Sequence, residues 1–348
     1  MKTVITGGAG FIGSNVAAHA LRAGDQVVIL DNLARPGAPA NARWLSTLGG
    51  DLSVIHADVR DYQAVRAAVR EAEAVYHLAA QVAVTTSVID PRSDFEINAL
   101  GTLNVLEAVR AECPGAFLAY SSTNKVYGSM QDVGVQRNGT RYQFANLSEG
   151  IGETQPLDFH SPYGCSKGAG DQYVRDYSRI YGLRTVVFRQ SCIYGPRQVG
   201  SEDQGWVAHL MIQALRKDTI VIYGDGLQVR DILHVDDLIA CYSAAHRAID
   251  AVAGKVFNIG GGPLNTLSLV ELIAYLEERL GRPVAYEFAP WRAGDQRVYV
   301  SNVSKARDEL RWKPSIDVPI GLDRLMQWLR ESDLARLASD AAPGGFPD

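Results

Sequence analysis

Residues 3–13, TVITGGAGFIG, decide the fold of this chain. A short apolar run is followed at once by three spaced glycines, Gly7, Gly10 and Gly13, and then by a helical pattern. Glycines at such a turn let backbone N–H groups and the positive end of the next helix approach a phosphate group. The spacing is GxxGxxG rather than GxGxxG, and a glycine triplet on its own is a weak signal. The strand before it and the helix after it favour a dinucleotide-binding loop.

Outward from this loop, short apolar strands alternate with amphipathic helices. Parallel strands need crossover helices, and strands covered on both faces are unbroken Val, Ile and Leu runs. The pattern predicts an α/β fold: a Rossmann doubly wound parallel sheet with a second, smaller mixed α/β substrate-binding lobe. The strands predicted for the sheet cover 3–5, 26–30, 52–56, 74–77, 116–120 and 185–188.

The second half of the chain is less regular. Segment 129–162 is polar and carries several glycines, which predicts a surface loop near the active site. Further on we predict a strand over 219–223 and helices over 236–248 and 267–280. The predicted cofactor domain is 1–190, with 229–260 returning to it, and the substrate domain is 191–228 with 261–335. Residues 336–348 are expected to be a flexible tail.

Composition excludes several classes of protein. The chain has 348 residues, 47% of them hydrophobic, and a net charge of -5, which argues against nucleic acid or an anionic membrane as partner. The four cysteines form no CxxC pair, so neither a structural metal nor a disulfide framework is expected. No signal peptide fits before the first strand, and no apolar run reaches the roughly 18 residues of a membrane span. We therefore expect a cytoplasmic protein.

Asp31 ends the second predicted strand and points to the cofactor. An acidic residue there accepts hydrogen bonds from the adenosine ribose, and its charge repels the 2′-phosphate of NADP. NAD is thus favoured, although Arg35 could reach a 2′-phosphate, which leaves NADP open. The alternative is that Asp31 only caps the following turn.

Tyr163 and Lys167 form a YxxxK pair on one face of a predicted helix. A phenol has an ordinary pKa of about 10, but a nearby ammonium and the positive nicotinamide ring both favour phenolate. Lowering that pKa to about 7 takes roughly 4 kcal/mol. A lone YxxxK also occurs as a surface pair, but Thr123 ends a predicted parallel strand, where ligands of such sheets bind. These three residues are the predicted catalytic set.

With these residues in this order, the chain resembles the extended short-chain dehydrogenase/reductase family, in its nucleotide-sugar branch, over nearly its whole length. The runs that carry the closest resemblance, to the CDP-paratose 2-epimerases or CDP-tyvelose epimerases, are YSSTNKVYG at 120–128, LDFHSPYGCSKG at 157–168, DQGWV at 203–207 and DQRV at 295–298.

This resemblance implies an NAD-dependent epimerase acting on a nucleotide-linked sugar. The expected reaction inverts C2 of CDP-paratose or a related CDP-hexose: C2 is oxidised to a transient 2-keto sugar and reduced again on the opposite face, with NAD tightly bound. Tyr163 is the implied base and acid, Lys167 lowers its pKa and holds the nicotinamide ribose, and Thr123 orients the reacting hydroxyl. A homodimer or homotetramer is expected, paired through helices 92–109 and 163–181.

The resemblance also implies binding residues. For the cofactor these are Gly7, Gly10, Phe11, Ile12, Gly13, Asp31, Asn32, Asp58, Val59, Leu78, Ala79, Ala80, Asn98, Tyr163 and Lys167. For the substrate they are Gln81, Thr123, Asn124, Ser191, Gln204, Trp206, Arg230, Arg292, Asp295 and Arg297. For the arginines a surface salt bridge, and for the tryptophan a core position, are the alternatives.

Some positions depart from related enzymes and separate the alternatives. Cys192 stands where the branch often has Asn, so a contact to the substrate phosphates is missing there, and we expect buried packing instead. Sugar-nucleotide 4,6-dehydratases normally have Asp-Glu after the catalytic Thr, whereas this chain has Asn124 and Lys125, which disfavours dehydration. A UDP-sugar 4-epimerase stays open. A non-catalytic sensor of NAD or a nucleotide sugar has no use for the three catalytic residues.

Overall fold

The glycine segment lies where the sequence predicts it, in the turn between strand β1 (Lys2–Thr6) and helix α1 (Phe11–Arg22). The computed structural model describes residues 1–291 and 295–332. Gly7 has a φ of +71°, and a Cβ atom there would lie 2.6 Å from the backbone nitrogen of Ala79. Because only glycine accepts both constraints without strain, Gly7 lets the turn lie against the neighbouring loop.

Strands and helices alternate along the first half of the chain, and most strands beyond residue 190 are short. The other strands are β2 (Gln26–Asp31), β3 (Asp51–His56), β4 (Ala74–His77), β5 (Phe117–Thr123), β6 (Val135–Asn138), β7 (Arg141–Phe144), β8 (Arg184–Gln190), β9 (Cys192–Tyr194), β10 (Ile220–Tyr223), β11 (Val229–His234), β12 (Val256–Ile259), β13 (Thr266–Ser268), β14 (Tyr286–Ala289) and β15 (Val298–Tyr299).

The other α-helices are α2 (Ala38–Thr47), α3 (Tyr62–Val69), α4 (Val84–Ile89), α5 (Pro91–Phe95), α6 (Gly101–Glu112), α7 (Ser161–Tyr181), α8 (Trp206–Arg216), α9 (Val235–Arg247), α10 (Ile249–Val252), α11 (Leu269–Leu280), α12 (Ser304–Leu310) and α13 (Val318–Glu331). A π-helix (Glu96–Leu100) joins α5 to α6, and a 3-10 helix (Asn124–Tyr127) follows β5. Within the described ranges, no helix is sufficiently long and apolar to cross a membrane.

The main sheet has seven parallel strands in the order β12-β8-β5-β4-β1-β2-β3. Helices α1, α2 and α9 cover one face, and α3, α6 and α7 cover the other, each over an apolar core. The adjacent residues Val4 and Ile5 are both fully buried but belong to opposite cores, since successive side chains of a strand point to opposite faces. The predicted doubly wound Rossmann sheet is confirmed.

The strand order reverses between β1 and β4, because β2 and β3 lie on one side of β1 and the later strands lie on the other. In open parallel sheets, ligands bind beyond the carboxyl ends of the strands at such a reversal. Thr6, Asp31, His77 and Thr123 occupy the carboxyl ends of four strands, so the sheet topology brings them to one edge.

The remaining elements form the smaller mixed lobe. Strands β9, β11, β13 and β15 make a sheet with parallel and antiparallel pairs, and β10 pairs with β14. Helices α8, α11 and α13 pack around a separate core that includes Leu210, Ile222, Leu276 and Leu325. Strand β12 belongs instead to the main sheet. The domain boundaries given above stay a prediction.

The prediction of a loop over 129–162 is wrong in its middle, where β6 and β7 form a hairpin. The pairing of Asn138 with Arg141 leaves Gly139, at φ +58°, and Thr140 as a two-residue turn. The hairpin strands are polar and exposed or half-buried. They therefore lack the alternation of apolar residues that identifies a strand in a sequence.

The helix predicted over 267–280 begins only at Leu269, because Ser268 caps it. The Ser268 hydroxyl accepts a hydrogen bond from the Glu271 N–H, and the Glu271 carboxylate accepts one from the Ser268 N–H. This capping box fixes the start of α11, and the residues before it form β13.

Candidate active site

One cavity of about 740 Å³ opens beyond the carboxyl edge of the main sheet and is walled by both lobes. It brings together most of the predicted site residues. Those that line it are Gly7, Gly10, Phe11, Ile12, Gly13, Asp31, Asn32, Asp58, Val59, Leu78, Ala79, Ala80, Gln81, Thr123, Tyr163, Lys167, Ser191, Gln204, Trp206, Arg230 and Asp295.

Two predicted residues are buried behind the cavity wall. Asn98 is 1% exposed; its Oδ1 accepts a hydrogen bond of 2.9 Å from the Gln81 N–H, and its Nδ2 donates one of 3.0 Å to the Gln81 carbonyl. Asn98 therefore supports the cavity through the backbone of a lining residue. Asn124 is 7% exposed and also does not line the cavity.

Of the other two predicted arginines, the structure describes one, Arg297. Arg297 is exposed and does not line the cavity; its guanidinium lies 5.2 Å from the centre of the Tyr142 ring. The substrate contact predicted for Arg297 stays a prediction. Arg292 falls outside the described residues, as does the predicted tail 336–348.

The start of α1 fits the diphosphate of a dinucleotide. Gly10 is the N-cap and has an extended backbone, and no side chain caps the helix. The first N–H groups of a helix have no partner within it and carry its positive dipole end. Because Phe11, Ile12 and Gly13 line the cavity, this helix end is available to an anionic group.

Asp31 fits the ribose next to that diphosphate. Its Oδ2 accepts a hydrogen bond of 2.9 Å from the Ala9 N–H, and its Oδ1 accepts one of 2.8 Å from the Leu33 N–H. Asp31 therefore does cap the following turn. A carboxylate has about four acceptor positions, so capacity remains for ribose hydroxyls.

Asp58 and Asn32 close the same end of the cavity. The Asp58 carboxylate accepts hydrogen bonds from Arg60, and these lower the pKa of Asp58 to about 2. The Asn32 amide donates to the same carboxylate at 3.0 Å. The two lining residues thus fix each other in place.

Tyr163 and Thr123 both line the cavity, and the Thr123 hydroxyl acts to lower the pKa of the Tyr163 phenol. Tyr163 is 9% exposed, and burial raises the pKa of its phenol to about 12, against the opposing effects of Thr123 and Arg35. The predicted lowering by Lys167 is therefore not seen in the protein alone. Arg35, which follows the Asp31 turn and also donates to the Gln204 carboxamide, acts to lower the pKa of Tyr163.

Lys167 lies one helical turn after Tyr163 and is 4% exposed. Burial lowers the pKa of its ammonium to about 7, although the charges of Asp171 and Asp94 act to raise it. Asp171 is itself paired with Arg189 at 2.8 Å. The lysine therefore sits in a dry environment where neighbouring carboxylates decide whether it stays charged.

Sequence reasoning missed Lys125 as a site residue. It lines the cavity two positions after Thr123, and burial followed by the nearby charge of Arg230 lowers its pKa to about 8. Arg230 lies 3.5 Å from Asp295, so two cations and one carboxylate share this wall. Its place directly after the end of β5 is the signal that could have identified it.

Cys192 also lines the cavity, and it is half-buried and packs against the core of the smaller lobe. Burial raises the pKa of its thiol, which opposes formation of a thiolate. Of the other predicted residues, Ser191 donates a hydrogen bond of 3.0 Å to the Asp231 carbonyl. The Gln81 amide donates to the Ala83 carbonyl and to Asp94, so it is held by the protein.

Comparisons with known proteins agree with this geometry. The sequence model of the NAD dependent epimerase/dehydratase family matches residues 3–260. CDP-paratose 2-epimerase from Salmonella typhi is 44% identical over 94% of this chain and 99% of that protein.

Two solved structures are also similar. The dTDP-glucose 4,6-dehydratase DesIV from Streptomyces venezuelae, with NAD bound, has a TM-score of 0.82 and 29% identity, over 96% of this chain and 98% of its own. The UDP-glucuronic acid 4-epimerase from Bacillus cereus, with UDP-glucuronic acid and NAD, has a TM-score of 0.81 and 27% identity, over 95% of this chain and 99% of its own.

Proposed function

Since this chain belongs to the NAD dependent epimerase/dehydratase family and uses NAD, we propose that it inverts C2 of a CDP-linked hexose, converting CDP-paratose to CDP-tyvelose or a close relative. The observation that carries the proposal is the meeting of Thr123, Tyr163 and Lys167 with the dinucleotide loop in one cavity. The 44% identity with a CDP-paratose 2-epimerase supports the choice of carbon and nucleotide.

In this proposal Tyr163 moves the proton of the reacting hydroxyl. When bound, NAD supplies the acceptor and then the donor of the hydride at the sugar carbon. The Tyr163 phenolate accepts the O2 proton as the C2–H bond breaks, and the sugar becomes a 2-keto sugar. The 2-keto sugar then turns so that its opposite face can be reduced, and the Tyr163 phenol returns the proton to O2. The proposal assigns to Thr123, which lines the cavity with Tyr163, the task of holding the oxygen in reach of that phenol.

Positive charge decides whether Tyr163 ionises. In the protein alone burial raises its pKa to about 12, so the phenolate needs cations close by. Lys167, one turn along α7, and Arg35, which already acts on the phenol, supply positive charge from the protein. The proposal assigns to Lys167 the additional task of holding the nicotinamide ribose.

Lys125 disfavours the dehydratase alternative. Dehydration needs a carboxylic acid and a carboxylate beside the catalytic Thr, and the positions after Thr123 are Asn124 and Lys125. The Lys125 ammonium lines the cavity with Arg230. Two cations suit the negative phosphates of a nucleotide sugar better than they suit removal of water.

Two buried acceptors support a cytosine nucleotide. The side-chain oxygens of Gln213 and Gln228 have no hydrogen-bond partner among the described residues, and both residues line the cavity. Gln228 is oriented by its Nε2, which donates to the Tyr223 carbonyl at 2.7 Å. Cytosine presents an amino group as donor where uracil and thymine present a carbonyl acceptor. An acceptor that faces the C4 position of the base therefore favours a CDP-sugar over a UDP- or dTDP-sugar.

We further propose a homodimer located in the cytoplasm. Apolar side chains stand exposed on the helices expected to pair: Phe95 is 58%, Tyr173 52% and Ile180 65% exposed. Covering them with the same helices of a second copy would bury this surface. Light scattering on the purified protein measures the assembly, and a monomer at micromolar concentration would contradict it.

The test of the reaction uses the purified protein without added cofactor. Incubation with CDP-paratose, followed by proton NMR, should show inversion at C2, while UDP-glucose and dTDP-glucose should remain unchanged. The Tyr163→Phe variant is the matched control: it should bind NAD and lack activity. Inversion of UDP-glucose at C4, or loss of water from dTDP-glucose, would replace the proposal, and inactivity on all sugars would favour a sensor.

A further inference from the structure

Asp94, on α5, is a buried carboxylate that no step of the proposed mechanism uses. It is 0% exposed. Its Oδ2 accepts a hydrogen bond of 2.5 Å from the Ser166 hydroxyl, and its Oδ1 accepts bonds of 2.9 Å from Gln81 Nε2 and 3.1 Å from Asn98 Nδ2. Burying a charge is costly unless it is well bonded. Three bonds from different parts of the chain therefore indicate a specific role.

These bonds join two walls of the cavity. Ser166 precedes Lys167 on α7, whereas Gln81 belongs to the lining that follows β4. Asn98 lies in the π-helix and also donates to the Ser166 hydroxyl at 3.1 Å. A π-helical turn inside an α-helix often marks a functional site. The Asp94 network thus fixes the catalytic helix against the loop beside the cofactor.

The charge of Asp94 also reaches the catalytic pair. The titratable and aromatic groups around Lys167 are Asp94 from α5, Asp171 and Tyr163 from its own helix, His77 from β4 and Tyr120 from β5. Asp171 is paired with Arg189 through two hydrogen bonds. Asp94, by contrast, has neutral donors only and no cation in an ion pair within the described ranges. Its negative charge therefore acts on Lys167 without being offset by a guanidinium.

We propose that Asp94 is a positioning residue of this active site. Its carboxylate ties the loop of Gln81, which follows β4, to helix α7, and it keeps the Lys167 ammonium charged. The inference rests on the proposed function for its purpose, since a charged Lys167 is what Tyr163 needs. The charge coupling between Asp94 and Lys167 does not depend on which sugar is the substrate.

The coupling can be measured without any sugar. The chain has seven lysines, so protein grown with 13C-lysine and retaining its cofactor gives few side-chain signals. The Lys167 signal is identified by its absence in Lys167→Met. In Asp94→Asn the lysine loses a neighbouring negative charge, so its titration midpoint should fall by about half a pH unit or more. Asp90→Asn, an exposed carboxylate at the start of the same helix, is the matched control and should leave the midpoint in place.

Activity gives a second readout once C2 inversion is established. Removing the negative charge of Asp94 lowers the pKa of both Tyr163 and Lys167. Both limbs of the pH profile of kcat should therefore move to lower pH in Asp94→Asn. Asp94→Glu restores the charge and should restore the profile. A purely structural role would lower kcat at every pH and leave the limbs in place.

An unchanged Lys167 midpoint in Asp94→Asn overturns the inference. If that variant does not fold, Asp94→Ser, which is neutral and smaller, takes its place with the same expected fall. A fall that also occurs in Asp90→Asn would mean a general effect of net charge and would equally overturn it. Because the titration needs no turnover, an inactive wild type would defeat the proposed function and leave this measurement decisive.

Discussion

The Lys167 ammonium nitrogen lies 4.3 Å from the centre of the Tyr120 ring, and the Tyr120 hydroxyl donates a 3.2 Å hydrogen bond to the Lys167 carbonyl. Tyr120 is fully buried in β5, while Lys167 faces the cavity from α7. The ring face of a buried tyrosine attracts a cation, and this attraction is stronger when water is excluded. A core residue of the sheet therefore holds the lysine on which the proposed chemistry depends.

Two replacements of Tyr120 distinguish the contribution of its ring from that of its hydroxyl. Tyr120→Phe keeps the ring and should retain most of the activity. Tyr120→Leu removes the face on which the ammonium rests, and kcat should fall by about tenfold, the effect of 1–2 kcal/mol. Steady-state kinetics, with thermal unfolding of each variant, distinguishes this from general loss of stability. Equal kcat in both variants would show that the ring does not act on Lys167.

Thr123 is expected to act on the transition state more than on binding. Thr123→Val has nearly the same shape but cannot hydrogen-bond to the sugar oxygen, so kcat should fall about 100-fold or more. Thr123→Ser keeps the hydroxyl and should recover much of the rate. KM and bound NAD should change little in either variant. A large rise in KM with unchanged kcat would instead make Thr123 a binding residue.

Much of this arrangement could be predicted from the sequence, because the signals are local. The glycine spacing, the apolar strands and Asp31 lie within the first 31 residues and specify the cofactor half of the cavity. Thr123, Tyr163 and Lys167 follow strand and helix signals of the same kind. The hairpin of β6 and β7 escaped prediction since its strands are polar and supported by contacts such as that of Arg141 with Glu271.

The remaining features depend on contacts between distant parts of the chain. Nothing in the sequence near Asp94 indicates that Gln81 and Ser166 will bond to it. The same holds for Arg35, which comes from the cofactor side and acts on Tyr163. The predicted effect of Lys167 on the phenol considered charge alone, whereas burial in the folded protein is the larger influence. Such balances arise only in the folded chain, where distant segments meet around the cavity.

Lys125 gives a pH dependence to substrate binding. Its pKa is lowered to about 8, so the amine loses its charge as the pH rises through that value, well before an ordinary lysine would. An uncharged amine attracts phosphates less, and KM for the CDP-sugar should therefore rise above about pH 8. Lys125→Met should have a raised KM that no longer changes in this range. Lys217→Met, at the exposed end of α8, is the control and should keep the wild-type profile.

Gln228 is expected to set the preference for the nucleotide. Its free Oε1, held by the bond from Nε2 to the Tyr223 carbonyl, is the acceptor we assign to the cytosine amino group. Gln228→Leu removes that acceptor, so kcat/KM for the CDP-sugar should fall about tenfold or more, the effect of one lost hydrogen bond in a buried site. The same sugar linked to UDP, whose C4 carbonyl cannot donate to this acceptor, should lose much less. Gln136→Leu, on the exposed strand β6, should alter neither value. An equal loss for both nucleotides would show that Gln228 does not contact the cytosine amino group.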